Sequence, residues 1–221
     1  MKTKPNKFAK IQTMRKLLIS ILIFISTSLF AQVRLDKPEM YIGANLGVTE
    51  SMVLFDPAIT QGFLMGFNGG IVFRYIAEKN VGMQVELNFS QRGWTESSGL
   101  YSRQLNYVEL PFMTHIYIGH KNRVFFNLGP KISYLISERV LLNSNNSSSE
   151  IQHSTSVQHP FDYGLCAGLG LLFNIDGKII QLDTRANYSL SDIFADTKRD
   201  YFNTSNNFNL SVNLAWLFQI K

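Results

Sequence analysis

Toward its C-terminal end the chain places an apolar residue at every second position: Phe208, Leu210, Val212, Leu214, Trp216, Phe218 and Ile220. Asn209, Ser211, Asn213, Ala215, Leu217 and Gln219 lie between them. Successive side chains of a strand point to opposite faces, so this run predicts a strand with one apolar and one mostly polar face. The same alternation recurs upstream. It runs through Val81–Phe89, Val108–Ile118, Val124–Ile136, Phe161–Phe173 and Ile180–Leu190. Two weaker, glycine-rich runs cover about 40–49 and 62–75. Together they predict eight strands, and no segment has the three-to-four spacing of a helix. Pro111 and Pro130 fall inside runs, where the missing N–H predicts local breaks.

The connections alternate in length. Long ones are expected at about 50–61, 92–103, 137–160 and 191–206, and short ones at 77–80, 119–122 and Asp176-Gly177. Four long loops alternating with three short turns is the pattern of an antiparallel up-and-down transmembrane β-barrel. The short turns then face the periplasm and the long loops face outward.

A soluble barrel of the lipocalin type also has eight strands, with its apolar face inside. Three features favour the membrane version. Aromatics crowd both ends of the apolar faces, with Phe89, Tyr134, Phe161, Tyr188 and Phe208 toward the loops. Phe73, Phe126, Phe173, Trp216 and Phe218 lie toward the turns, as expected for two interfacial girdles. Opposed charges occupy the polar faces near strand centres. Only 17% of the chain is charged, which is low for a solvated surface.

Composition modifies this picture in one place. Met14-Arg15-Lys16 precedes an apolar run, Leu17–Phe30, and then Ala31-Gln32, the order of a secretory signal peptide. The domain organisation expected is therefore an N-terminal extension and signal peptide over 1–31, and a barrel over 32–221. Six of the 21 basic residues lie in the first 31, leaving 15 against 16 acidic ones. The basic pI belongs to the leader, so no nucleic-acid partner is expected. Cys166 is the single cysteine, which excludes an intrachain disulfide.

An eight-stranded barrel is only wide enough for side chains to fill it. Inward charges then need partners, because an unpaired buried charge is expensive. The register predicts an interior network of Glu86, Glu109 and Asp183 with Lys131 and Arg185.

Five segments resemble the PorT-like outer-membrane β-barrel proteins, often labelled porin-family proteins. They are Ser28–Gln32, Gly43–Gly47, Gln91-Arg92-Gly93-Trp94, Asn106–Phe112 and Asn127–Lys131. The resemblance spans most of the mature chain and carries no catalytic signature. It implies insertion in the outer membrane of a Gram-negative envelope. One family member is associated with protein secretion, and most have no assigned role.

Candidate chemistry is sparse. His115 and Ser133 both face inward, but nothing places them together, so a hydrogen-bonded interior histidine is expected. His153 and His159 flank a loop near Asp162, in no standard metal-ligand spacing. They read as solvated loop residues, Trp94 as an interface anchor, and Cys166 as small-residue packing. The reading is a non-enzymatic barrel without cofactor or metal, with an accessory or structural role. Its expected partners are outer-membrane lipid and other envelope or secretion proteins. The loop at 137–160 is the best partner-binding candidate, and its run Asn143–Ser149 is expected to be flexible. A lipid-modifying enzyme and a secreted ligand-binding barrel stand as alternatives.

Overall fold

The computed structural model describes residues 34–96, 99, 101–143, 153, 155–176, 178–194 and 202–220. The expected extension and leader, 1–31, lie outside the described residues, as does most of Asn143–Ser149.

Eight strands form the barrel. They are β1 (Arg34–Asp56), β2 (Leu64–Glu78), β3 (Val81–Glu96), β4 (Tyr101–Gly119), β5 (Asn122–Asn143), β6 (Phe161–Ile175), β7 (Lys178–Asp192) and β8 (Thr204–Gln219). A two-residue stub, Gln61–Gly62, pairs with the loop end of β3. Each strand neighbours the next, and β1 pairs antiparallel with β8, so the sheet closes as an eight-stranded antiparallel up-and-down barrel. The turns are tight where alternation predicts them. Asn80 and Asp176 take positive φ there, a conformation their short polar side chains tolerate.

The faces sort as the alternation requires of a membrane barrel. Along β8, Leu210, Val212, Leu214, Trp216 and Phe218 are exposed, while Asn209, Ser211 and Asn213 are buried. Outward apolar residues would be costly in water and are favoured in lipid, whereas inward polar groups bond one another.

One expectation needs correction. The strands run further than the lipid-facing pattern shows, so β1 continues to Asp56 and the β3–β4 connection shrinks to residues 97–100. At 15 to 23 residues, the strands exceed the roughly 9–11 that cross a bilayer. Their loop ends therefore stand in water, where backbone pairing continues but the outward-apolar rule lapses. The prolines break the pairing locally, as expected. Pairing of β3 with β4 is interrupted between Val85↔Phe112 and Asn88↔Glu109, across Pro111, and resumes in the same register. A rung is lost at proline, but no residue is inserted. The register shifts of β4 against β5 lie at Ser102/Arg103 and Asn106/Tyr107 instead.

Candidate functional site

The interior is layered in three tiers. The middle tier is polar and is built from strand residues whose neighbours face lipid. Arg185 of β7 grips Glu86 of β3 with both terminal nitrogens, Nη1 at 2.7 Å and Nη2 at 3.1 Å. Asn45 and Asn88 donate to the same Glu86 oxygen at 3.0 and 2.8 Å. Arg185 also lies 3.5 Å from Asp183, which accepts from Asn213 of β8 at 2.8 Å and Gln181 at 2.6 Å. Arg74 of β2 donates to Gln84 at 2.9 Å. This first cluster ties β7, β8, β1, β2 and β3 together.

A second cluster centres on Arg92. Its Nη1 donates to Asp162 Oδ2 at 2.8 Å, and its Nη2 meets both Glu109 and the Ser133 hydroxyl, the latter at 3.1 Å. Ser189 and Ser191 donate to Asp162 at 2.9 and 2.6 Å. The Arg92 guanidinium lies over the Tyr107 ring at 4.6 Å, a cation–π contact. This cluster joins β3, β4, β5, β6 and β7, so the two clusters together reach all eight strands.

The five residues expected to form one network are all buried. Glu86, Asp183 and Arg185 share the first cluster, whereas Glu109 belongs to the second, through Arg92. Lys131 joins neither by a hydrogen bond, and its Nζ has no partner among the described residues. The single network expected is thus two clusters and a separate lysine. Arg92 and Asp162 were absent from it because Arg92 falls in a segment that reads as loop. Its Arg-Gly-Trp neighbourhood held the signal: Arg92 and Trp94 share a face two residues apart. Gly93 between them takes φ 145°, and a Cβ there would lie 1.9 Å from Arg103 O.

The other two tiers are apolar, which corrects the expectation of a polar interior throughout. At the loop end, Val53, Phe55, Trp94, Tyr101, Leu105, Tyr107, Ile193, Phe194 and Phe202 form one buried cluster. Trp94 is fully buried there and not an interface anchor. At the turn end, Ile76, Met113, Phe125, Leu172, Ile179 and Leu217 are buried. At the loop end the outward neighbours stand in water, so the hydrophobic effect puts apolar groups back inside. At the turn end the outward neighbours Val124, Phe126, Leu171, Trp216 and Phe218 are exposed apolar residues of the lipid belt, so the strands are apolar on both faces there.

Of the two loop histidines, His159 is exposed as expected and His153 is not simply solvated. His153 stacks on Tyr101 at 3.8 Å and bonds Glu96 at 2.7 Å. His159 Nδ1 contacts Asp192 O at 3.2 Å. Asp162 faces Arg92 inside the barrel, so the three do not share a site. His115 Nδ1 bonds Asn127 Oδ1 at 2.7 Å, and Ser133 is the partner of Arg92. The Cys166 thiol donates to Gly129 O at 3.4 Å. No histidine–nucleophile pair forms from these residues. Replacing His115 with Ala should therefore leave outer-membrane lipid composition unchanged by mass spectrometry of extracted lipids. A changed acylation pattern would place lipid chemistry in this barrel.

A closed eight-stranded ring with an apolar outer belt and a paired polar interior defines a transmembrane β-barrel. The family model described as outer membrane protein beta-barrel domain matches residues 30–195, and the chain belongs to that family. It is an outer-membrane protein. No curated protein matches the chain. Among solved structures it is similar to OprG from Pseudomonas aeruginosa, at 10% identity and a TM-score of 0.49, over 81% of this chain and 95% of that one. It is also similar to Neisserial surface protein A, at 12% identity and TM-score 0.44, covering 81% and 98%. Ail, the attachment invasion locus protein of Yersinia pestis, matches at 15% identity and TM-score 0.42, covering 81% and 99%.

Proposed function

We propose that this protein is a closed, non-enzymatic outer-membrane scaffold that presents its loop end to an envelope or surface partner. The observation that carries this reading is the interior, which is filled by ion pairs and capped by an apolar tier at each end. Solute passage would need desolvation through both apolar tiers and disruption of the charge clusters between them. The strands also continue past the lipid belt and hold a buried core above it. That gives the outer end a defined shape suited to recognition. The PorT-like resemblance favours an accessory role linked to protein secretion over an independent one.

The test is electrical and then biochemical. Reconstituted in a planar bilayer, the protein should give no conductance steps above the lipid baseline. Stable ohmic steps would overturn the scaffold reading and make it a channel. A deletion strain should lose a surface or secretion phenotype that is restored by the wild-type chain. It should not be restored by one in which residues 144–152 are replaced with a glycine-serine linker of equal length.

A further inference from the structure

We infer that the free edge of β5 above the lipid belt, Ser137–Val140, is a strand-addition site for an extended segment of a partner protein in which acidic and apolar residues alternate. The inference rests on the reading that the loop end meets an envelope or surface partner, and it says by what chemistry. The site begins with an unequal pairing. β5 pairs with β4 as far as Asn143↔Tyr101, but its pairing with β6 ends at Tyr134↔Phe161. Tyr134 belongs to the loop-side girdle, so the strand beyond it stands in water with one side unpaired. There β3, β4 and β5 form a ribbon. The far edge of that ribbon is closed by the chain itself, where Gln61–Gly62 pairs with Glu96 and Thr95.

The register shows which backbone groups are open. Leu135 N donates to Pro160 O at 2.8 Å, on the β6 side. Backbone groups alternate in direction along an antiparallel pair. Leu135 lies opposite Tyr107 and Ser137 opposite Asn106, so Ser137 and Arg139 turn toward β4, and Glu138 and Val140 toward the open side. Among the described residues, nothing bonds the backbone of Glu138 or Val140 there. Residues 155–157 meet side chains instead. Val157 N donates to the Glu138 carboxylate at 3.2 Å, and Arg103 Nη1 donates to Thr155 O at 2.6 Å. Two register shifts bound the site, because Ile136 and Leu141 have no opposite number on β4. Bulges at those points blunt the rest of the edge against indiscriminate pairing.

An open edge identifies its occupant. Unpaired N–H and C=O groups in a row are matched by another extended chain, and by no lipid or helix. A second copy does not fit. Two copies in one membrane share an orientation, so their β5 edges would cross at twice the strand tilt of about 35–45° and could not run together. A free segment of another protein has no such constraint. The side chains set its character. Arg139 is exposed and has no ion-pair partner among the described residues, and opposite charges on facing strands attract. Val140, next along the strand and on the other face, is exposed and apolar. The incoming strand therefore sets an acid beside Arg139 and an apolar residue beside Val140.

The experiment adds a capped peptide of alternating valine and glutamate to the protein folded in detergent, and follows backbone amide exchange by NMR. In the free protein the Glu138 and Val140 amides should exchange fast, and the Arg139 amide, which faces β4, slowly. Saturating peptide should slow the first two about tenfold. A twin peptide N-methylated along its backbone keeps the side chains and should not bind. Arg139→Glu should weaken binding about two- to fivefold, the range of an exposed ion pair, and favour a valine–lysine peptide instead. Val140→Pro removes an edge donor without touching the ladder to β4 and should weaken binding about tenfold. The heat-dependent gel shift confirms that both variants are folded. Protection of Glu138 and Val140 in the free protein, binding of the methylated twin, or no binding of the first peptide would overturn the inference. Conductance steps in a planar bilayer would overturn the scaffold reading and leave this edge standing.

Discussion

Arg92→Met should lower the unfolding free energy by about 3–5 kcal/mol, the cost of leaving buried charges without their partner. The side chain is fully buried, and both acids it holds, Asp162 and Glu109, are buried too. Asp162 would keep its two serine donors, Ser189 and Ser191. Glu109 would lose its ion pair outright. The size of methionine preserves packing against Tyr107, so the loss reports charge more than volume. The measurement is urea unfolding in detergent, followed by the gel shift between folded and unfolded barrel. A triple variant, Arg92→Met with Asp162→Asn and Glu109→Gln, removes all three charges and should recover most of the loss. If the single variant were as stable as the wild type, the second cluster would not be holding the strands.

Lys131 supplies the contrast. It is as buried as Arg92, but its Nζ has no hydrogen-bond partner among the described residues. Lys131→Met removes a charge that has been desolvated without direct compensation, so stability should be unchanged or higher. Two buried cations on neighbouring parts of one wall are thus expected to respond in opposite senses. A loss as large as that of Arg92→Met would show that the lysine is bonded in the folded protein, through water.

The two residues also mark how far the sequence could be read. Over most of the lipid belt the alternation puts apolar residues outward and polar ones inward, and it places Glu86, Glu109, Lys131, Asp183 and Arg185 on the inner face, whereas toward the turns Phe125, Leu172, Ile179 and Leu217 are apolar and inward. What alternation cannot supply is pairing. Arg185 and Glu86 are 99 residues apart, and Arg92 and Asp162 are 70 apart. Which inward charges meet depends on barrel shear, which no single strand encodes. The rule also stops at the membrane surface. Above it Val53, Phe55, Trp94 and Leu105 point inward, so a search for apolar-outward strands ends too early and reads 92–103 as loop. For that one reason alternation misses Arg92 and makes Trp94 an interface anchor.

Trp94→Ala tests the loop-end tier and should cost about 3–5 kcal/mol, the range for emptying a large buried aromatic site. The indole packs edge-on to Phe55 at 5.5 Å and lies 6.5 Å from Phe194 and 6.3 Å from Tyr101. It therefore bridges β1, the β3–β4 hairpin and the segment after β7. The described part of that segment is also held by backbone bonds, among them Gln158 N to Ile193 O at 3.0 Å and Ile193 N to Ser205 O at 3.1 Å. The loss should be local, because the charge clusters and the lipid belt lie below the cavity. Limited proteolysis should then cut beside Ile193, Phe194 and Phe202 faster in Trp94→Ala than in the wild type, while the barrel keeps its gel shift. Conductance should stay at the lipid baseline, since the middle and turn-end tiers still fill the interior. Trp94→Phe, which retains a ring against Phe55, should give a smaller loss and little cutting. If Trp94→Ala is cut no faster than the wild type, the aromatic tier does not hold the outer end closed. If it loses the gel shift as well, that tier belongs to the same cooperative unit as the membrane barrel and is not a cap set upon it.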